Sequence, residues 1–273
     1  MTKLFSWNIA HRHKAWRSLV GVDADVALLQ EARIPPEDVS EWVEVDPAPF
    51  YDAEGKGISR CAIVKLSEGI EIEWLEPVPI SRAKYGDLIE SQPGCLAAAI
   101  ITPPGGRPFT AVSFCPEYEK PHRSTGKMSW NIVHASIHRV ISDISLLIGR
   151  QRDHRIIAAG DLTIYHGYGE DKNGYWKGRY DTVFNRMAAI GLPFVGPQYP
   201  NGRQADPWPP ELPTDSKNVP TYIHSTQTLE TATSQLDYVF VSESMADSVK
   251  VRALNSPDEW GPSDHCRIEI EVA

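Results

Sequence analysis

The sequence lacks any long apolar run. Its longest, Leu96 to Ile101, stops at Pro103-Pro104, far short of the roughly 20 apolar residues a membrane-spanning helix needs. It also lacks a surplus of positive charge. Across 273 residues, 27 Lys and Arg stand against 36 Asp and Glu, a net charge of −9, which argues against binding nucleic acid through bulk charge alone. Cysteine is sparse and scattered. Cys61, Cys95, Cys115 and Cys266 form no CxxC unit and no zinc spacing, and each adjoins an apolar stretch, so all four read as buried free thiols. The first residues do not read as a secretory signal either: Ser6 and Asn8 interrupt Leu4 to Ala10, and the cations His11 to Lys14 follow it instead of preceding it. A reducing, cytoplasmic setting is the expectation.

What is present is an ordinary globular composition. At 41% hydrophobic and 23% charged, the chain can bury a substantial core, and neither disorder nor a fibrous class fits. Short runs rich in branched residues read as strands: Leu4–Ile9, Val26–Leu29, Cys61–Val64, Ile70–Leu75, Leu96–Ile101, Phe109–Phe114, Ile156–Ala159, Thr221–His224, Leu236–Val241, Val249–Arg252 and Cys266–Val272. Three segments keep helical spacing. Ala15, Trp16, Leu19 and Val20 precede Gly21. Trp130, Val133, Ile137, Val140, Ile141, Ile144, Leu147 and Ile148 precede Gly149. Val183, Phe184, Met187 and Ile190 precede Gly191. Strands throughout, with helices between only some, predict an α/β fold with mixed sheets. Nothing splits positions 1–273, so one domain is expected. The stretch Pro193 to Pro220 holds eight of the 22 prolines and reads as a rigid surface excursion that borders the substrate cleft with Trp208.

Polar residues sit where apolar runs end. Asn8 closes the first strand, Glu31 and Asp161 follow the second and the Ile156 runs, Asp237 opens another, and Asp264-His265 precedes the last. One acid at a strand end is usually a cap or turn former; five such positions point to chemistry gathered at strand ends.

These segments resemble the endonuclease/exonuclease/phosphatase superfamily, the DNase I-like phosphodiesterases. The matching pieces are Ser6-Trp7-Asn8-Ile9, Leu29-Gln30-Glu31, Gly160-Asp161-Leu162-Thr163, Gln235-Leu236-Asp237-Tyr238-Val239-Phe240-Val241-Ser242 and Ser263-Asp264-His265-Cys266, in the family's order and across nearly the whole chain. The resemblance implies a four-layer α/β sandwich, two packed mixed sheets with helices outside. It implies that Glu31 binds a catalytic Mg²⁺ or Mn²⁺, with Asn8 supporting metal and phosphate. Asp161 then serves the attacking water or the metal, and Asp264 is a further acid near the metal. It makes His265 the essential histidine, oriented by Asp237. A carboxylate behind an imidazole fixes its tautomer and raises its pKa, and a hard cation bound through oxygen offsets phosphate charge.

Two positions depart from the family pattern. Thr163 stands where the family carries asparagine, and its shorter hydroxyl implies altered contacts or a different substrate. Phe114 stands near the strand end where relatives carry histidine or tyrosine; Tyr118 and His122 are the nearby candidates to replace that donor. For substrate contacts the candidates are Arg12, His122, Arg123, Tyr165 and Trp176, the last two in a Gly-rich segment of rings and cations, since cations bind phosphates and rings stack on unpaired bases. His11 and His13 lack an evident third ligand. The implied activity is a metal-dependent nuclease acting on nucleic acid or another phosphodiester, with no membrane partner. The alternatives are a phosphatase or phosphodiesterase for inositol-phosphate or phospholipid head groups, and a catalytically weakened nucleic-acid-binding relative.

Overall fold

Strand alternation builds two packed sheets. In the computed structural model, which describes residues 1–117, 135–168 and 175–273, β1 (Thr2–Asn8), β2 (Val26–Ala32), β3 (Glu44–Val45), β4 (Arg60–Lys65), β11 (Val249–Leu254) and β12 (Arg267–Val272) form one sheet. The second holds β5 (Glu71–Leu75), β6 (Leu96–Thr102), β7 (Phe109–Phe114), β8 (Ile156–Asp161), β9 (Phe194–Gly196) and β10 (Asp237–Val241). Their orders are β11-β12-β1-β2-β4-β3 and β5-β6-β7-β8-β10-β9. Both are mixed: β1 with β2 and β7 with β8 are parallel, and the remaining pairs are antiparallel.

One side of each strand fills the space between the sheets. Leu4, Val26, Leu28, Ile63, Ala111, Ile157, Ala159, Val239 and Ile268 belong to that inner core. The opposite sides take helices. Trp7, Ala27, Leu29 and Ala62 pack with Ala15 and Trp16 of α1 (His13–Arg17) and Val39 of α2 (Glu37–Ser40). On the far side, Val112, Phe114, Ala158, Tyr238 and Phe240 pack against α3 (Ala135–Ile148) and α4 (Tyr175–Ala189). In α3 the buried positions Ile137, Val140, Ile141, Ile144, Leu147 and Ile148 follow the 3.6-residue period expected of a helix with one apolar face. The result is the four-layer sandwich the sequence implied, and its period-2 and period-3.6 patterns face the layers they predict.

Some expectations differ in detail. The first helix ends at Arg17, before Val20, which is exposed. Thr221–His224 forms no strand; Tyr222 makes isolated bridges to Ser234 and His265, because this segment crosses strand ends instead of lying along an edge. Two short strands, β3 and β9, carry too few residues to show a period. The helical spacing from Trp130 begins outside the described residues. Among the described residues, no helix is long and apolar enough to cross a membrane.

Candidate active site

The two parallel pairs bring four strand ends together. β1 and β8 touch across the sheets, as do β2 and β7, so Asn8, Glu31, Asp161 and the residue after Phe114 emerge side by side. Alternation alone puts Leu4, Ser6 and Asn8 on the inner side of β1 and Val26, Leu28 and Gln30 on the inner side of β2. Gln30 pins the seam, donating from Nε2 to the Ser6 and Ser113 hydroxyls at 3.3 and 2.9 Å, and Ser113 Oγ donates to Leu29 O at 2.8 Å.

Glu31 reaches the site by breaking the period. Its place in the alternation is on the helix-covered face, but its φ is +50° and the β2–β4 register shifts between Leu29 and Ala32. Such a bulge re-aims a side chain, and a non-glycine residue at positive φ stores strain that functional sites often hold. The Asn8 amide then gathers the acids: Nδ2 donates to Glu31 Oε1 at 3.2 Å and Asp161 Oδ2 at 3.0 Å, while Oδ1 accepts from the Ala10 amide at 3.0 Å. His11 backs Glu31. Its Nε2 lies 3.2 Å from Oε2, and its Nδ1 lies 3.0 Å from the Glu31 carbonyl.

Gly160 precedes Asp161 for a steric reason. A Cβ there would lie 1.8 Å from Phe114 O, so only glycine lets β7 and β8 approach this closely. Asp161 and Asp237 are then directly paired across β8 and β10. Like charges opposite one another are unfavourable, and His265 resolves the conflict. Its Nδ1 is 2.9 Å from Asp237 Oδ2, and its Nε2 is 3.7 Å from Asp161 Oδ2. Burial alone would lower its pKa, but Asp237, then Asp161, together with the Asp237 hydrogen bond, push it up to about 10, so the ring is an imidazolium at neutral pH. Burial, aided by Asp237 and Glu31 and opposed by His265, pushes Asp161 up to about 7. Tyr222 packs its ring 4.9 Å from the imidazole, and Trp7 Nε1 donates to His265 O at 2.9 Å.

A cavity of about 630 Å³ opens over these groups, lined by Asn8, Glu31, Asp161, Thr163, Asp264 and His265 together with Tyr165, Trp176, Tyr180, Tyr222, His224 and Leu236. Every candidate catalytic and metal-binding residue except Asp237 lines this cavity, as do Tyr165 and Trp176, and Asp237 is tied to it through His265 Nδ1. Asp264 sits apart from the Glu31–Asp161 pair: its Oδ2 faces Arg12 at 3.9 Å and its Oδ1 accepts from Ser263 Oγ at 3.3 Å. Arg12 stays beside the cavity, donating to Pro262 O. Thr163 holds Asp161 through its backbone, N donating to Oδ1 at 2.6 Å, and has φ +54°.

Other expectations need correction. Phe114 is buried in the outer core, because its position on β7 alternates with Ser113, so it faces the helices and not the site. His122, Arg123 and Tyr118 lie outside the described residues. The described cavity lining includes no residue of Pro193–Pro220; Trp208 donates instead to Leu212 O, and Gln235 and Asn255 tie the excursion to the sheets through Pro197 O and Arg203. Cys115 is not a fully buried thiol but half-buried, and its sulfur, Glu31 and Asp161 offer ligand atoms all within 4.8 Å of one another. Sequence reasoning missed Cys115 and Tyr222. The alternation of Tyr222 and His224 was the available signal for the second; nothing marked the first.

Comparison with solved structures places the fold. One structural neighbour is an endonuclease/exonuclease/phosphatase family protein of Bacteroides thetaiotaomicron, with a TM-score of 0.54 at 15% identity. An AP endonuclease of Leishmania major (LMAP) superposes with a TM-score of 0.64 at 13% identity, over 99% of this chain and 87% of that one. A 3′-5′ exonuclease of Neisseria meningitidis gives 0.63 at 15% identity, covering 99% of both chains. A mannosyl-6-phosphatase of Bacteroides thetaiotaomicron gives 0.57 at 15% identity, covering 100% of both. The likeness is one of fold. The sequence matches no protein-family model and no curated protein.

Proposed function

We propose that the chain is a divalent-metal-dependent phosphodiesterase, a nuclease that hydrolyses nucleic-acid phosphodiester bonds by attack of water. The observation that carries this reading is the pairing of two carboxylates gathered on one Asn8 amide with a buried Asp237–His265 pair across a single cavity. Nucleases and a sugar phosphatase sharing the fold support phosphoester chemistry.

The donor set fits a hard divalent cation. Glu31 and Asp161 converge on Asn8, a neutral amide, leaving their like charges for a cation to offset, and oxygen donors suit Mg²⁺ or Mn²⁺. Glu31 would hold it, supported by Asn8 and with Asp264 at the edge of the same cavity, leaving Asp161 beside it for the water; bound there, it would neutralise phosphate charge and lower the pKa of water. The remaining steps belong to the chain. The His265 imidazolium, held in place by Asp237, offers Nε2–H to a non-bridging phosphate oxygen and stabilises charge as the pentacovalent state develops. Asp161, the buried carboxylate beside that position, takes the proton of the attacking water. Asn8 fixes the angle between the two carboxylates and so positions without reacting.

Tyr165, Trp176, Tyr180 and Tyr222 line the walls above the acidic floor, and flat rings suit an unstacked base beside the scissile phosphate. Among the described residues, no Lys or Arg lines the cavity. That composition disfavours a polyphosphorylated inositol, which needs several cations, and favours a single-stranded or frayed nucleic acid. The test is hydrolysis of single-stranded DNA, RNA and bis-p-nitrophenyl phosphate with Mg²⁺ or Mn²⁺. Glu31→Gln and His265→Ala should each lose roughly 10²–10³-fold in kcat; unchanged activity in both would refute the assignment.

A further inference from the structure

Among the described residues beside the two carboxylates, the half-buried Cys115 carries a thiol, a donor that does not suit Mg²⁺. It follows β7, where its amide donates to Cys95 O at 3.0 Å. Phe114 pairs with Gly160 on the parallel strand β8, which brings Cys115 beside Asp161, and the Gln30–Ser113 seam brings it beside Glu31. Its sulfur with the two carboxylates forms the three-donor group within 4.8 Å. A second cavity of about 300 Å³, whose lining includes His11, Glu31, Arg60, Cys115, Pro116 and Thr163, opens onto the same carboxylate. The thiol makes no hydrogen bond to a described side chain or carbonyl.

We propose that Cys115, Glu31 and Asp161 form a binding site for a thiophilic divalent cation, Zn²⁺ or Cd²⁺, that overlaps the Mg²⁺ position and inhibits hydrolysis when filled. Around a tetrahedral zinc, with Zn–S about 2.3 Å and Zn–O about 2.0–2.2 Å, ligand atoms lie about 3.3–3.7 Å apart. The ligand atoms lie within 4.8 Å of one another, so the set must draw in by roughly 1 Å around zinc, and Glu31, whose side chain is 37% exposed, has room to move. On binding, the Cys115 S–H bond breaks, the proton leaves to solvent, and the thiolate pair forms the metal–sulfur bond. Mg²⁺ gains nothing from the thiol, because a hard cation prefers oxygen, whereas borderline and soft cations gain most of their affinity there. Zinc at this site engages Asp161, so the carboxylate that serves the attacking water is occupied. His11, fixed on Glu31, positions the carboxylate for either ion.

The overlap with catalysis rests on the reading in the preceding section, but the site itself is detectable without activity. The full chain, stripped of metal, is titrated with Co²⁺ while the thiolate-to-cobalt charge-transfer absorption in the near ultraviolet is recorded, then with Zn²⁺ in competition. The band is expected in the wild type, lost in Cys115→Ser and in Glu31→Gln, and retained in Cys266→Ser. Cys115→Ala serves if the serine variant fails to fold. In the Mg²⁺ assay, Zn²⁺ should inhibit the wild type at about tenfold or more lower concentration than Cys115→Ser, each rate being read as a fraction of that protein's own zinc-free rate. A band that is absent, or that persists in Cys115→Ser, overturns the site. Equal zinc sensitivity in the two proteins overturns the inhibitory role. If no metal supports hydrolysis while the band follows Cys115, the phosphodiesterase reading falls and the thiophilic site stands.

Discussion

Replacing Asp161 with asparagine should remove a pH-dependent cost that the wild type carries at its centre. Asp161 is 2% exposed and faces Asp237 across the strand pair. Its pKa is pushed from 3.8 up to about 7. The folded state therefore holds this proton more tightly than the unfolded chain. The resulting stabilisation is complete below pH 3.8, is lost between 3.8 and 7, and is gone above 7. At about 1.4 kcal/mol per unit, the whole loss is on the order of 4 kcal/mol. Asp161→Asn cannot ionise, so it lacks this slope. It has a fixed penalty instead: Asn8 Nδ2 and Thr163 N donate to different oxygens of Asp161, an amide offers only one acceptor oxygen, and a stranded buried donor costs about 1–3 kcal/mol.

The observable is the stability difference between the two metal-free proteins, from urea unfolding in chelator at pH 5, 6, 7 and 8. It should shift by about 2 kcal/mol in favour of Asp161→Asn between pH 5 and 7, then level off by pH 8. Holding the main comparison below pH 7 limits interference from His265, whose own contribution is lost mainly between 6.5 and about 10. Mg²⁺ at pH 8 should stabilise the wild type more than the variant, while hydrolysis by the variant is abolished. A difference that stays constant with pH refutes the account of Asp161 as a carboxyl held protonated by burial and like charge.

Three further outcomes test the site's construction. Gly160→Ala forces a Cβ to within 1.8 Å of Phe114 O, so it should destabilise by at least about 3 kcal/mol, read by urea unfolding, because two strands must part to accept it. Thr163→Asn should stabilise by about 1 kcal/mol in the same assay, since a β-branched residue is disfavoured at φ +54° and asparagine tolerates that region; destabilisation would place the strain elsewhere. Trp176→Ala, at the cavity wall and stacked on Tyr180 with ring centroids 6.0 Å apart, should raise KM for single-stranded DNA several-fold while leaving kcat for bis-p-nitrophenyl phosphate unchanged.

How much of this centre could be read in the sequence depended on whether position followed period. Asn8, Asp161 and Asp237 continue the inner-facing alternation of β1, β8 and β10, so their place at strand ends was legible, and the layers of the sandwich followed from the same rule. Glu31 was legible only through its motif. By period it belongs with Leu29 and Ala27 against α1, and a local bulge at positive φ carries it to the other side. Cys115 was illegible because its signal is a juxtaposition. It adjoins a strand in sequence, as buried thiols do, and only the seam between Gln30 and Ser113 brings it to Glu31. The positions of Glu31 and Cys115 share a cause. Both leave the regular strand at the same seam, where the sheets exchange side-chain hydrogen bonds in place of apolar contacts. There the backbone no longer obeys a two-residue period, and strain at Glu31 and Thr163 concentrates. A centre built from such departures holds its two carboxylates converged on the Asn8 amide, the preorganisation that the proposed cation site requires.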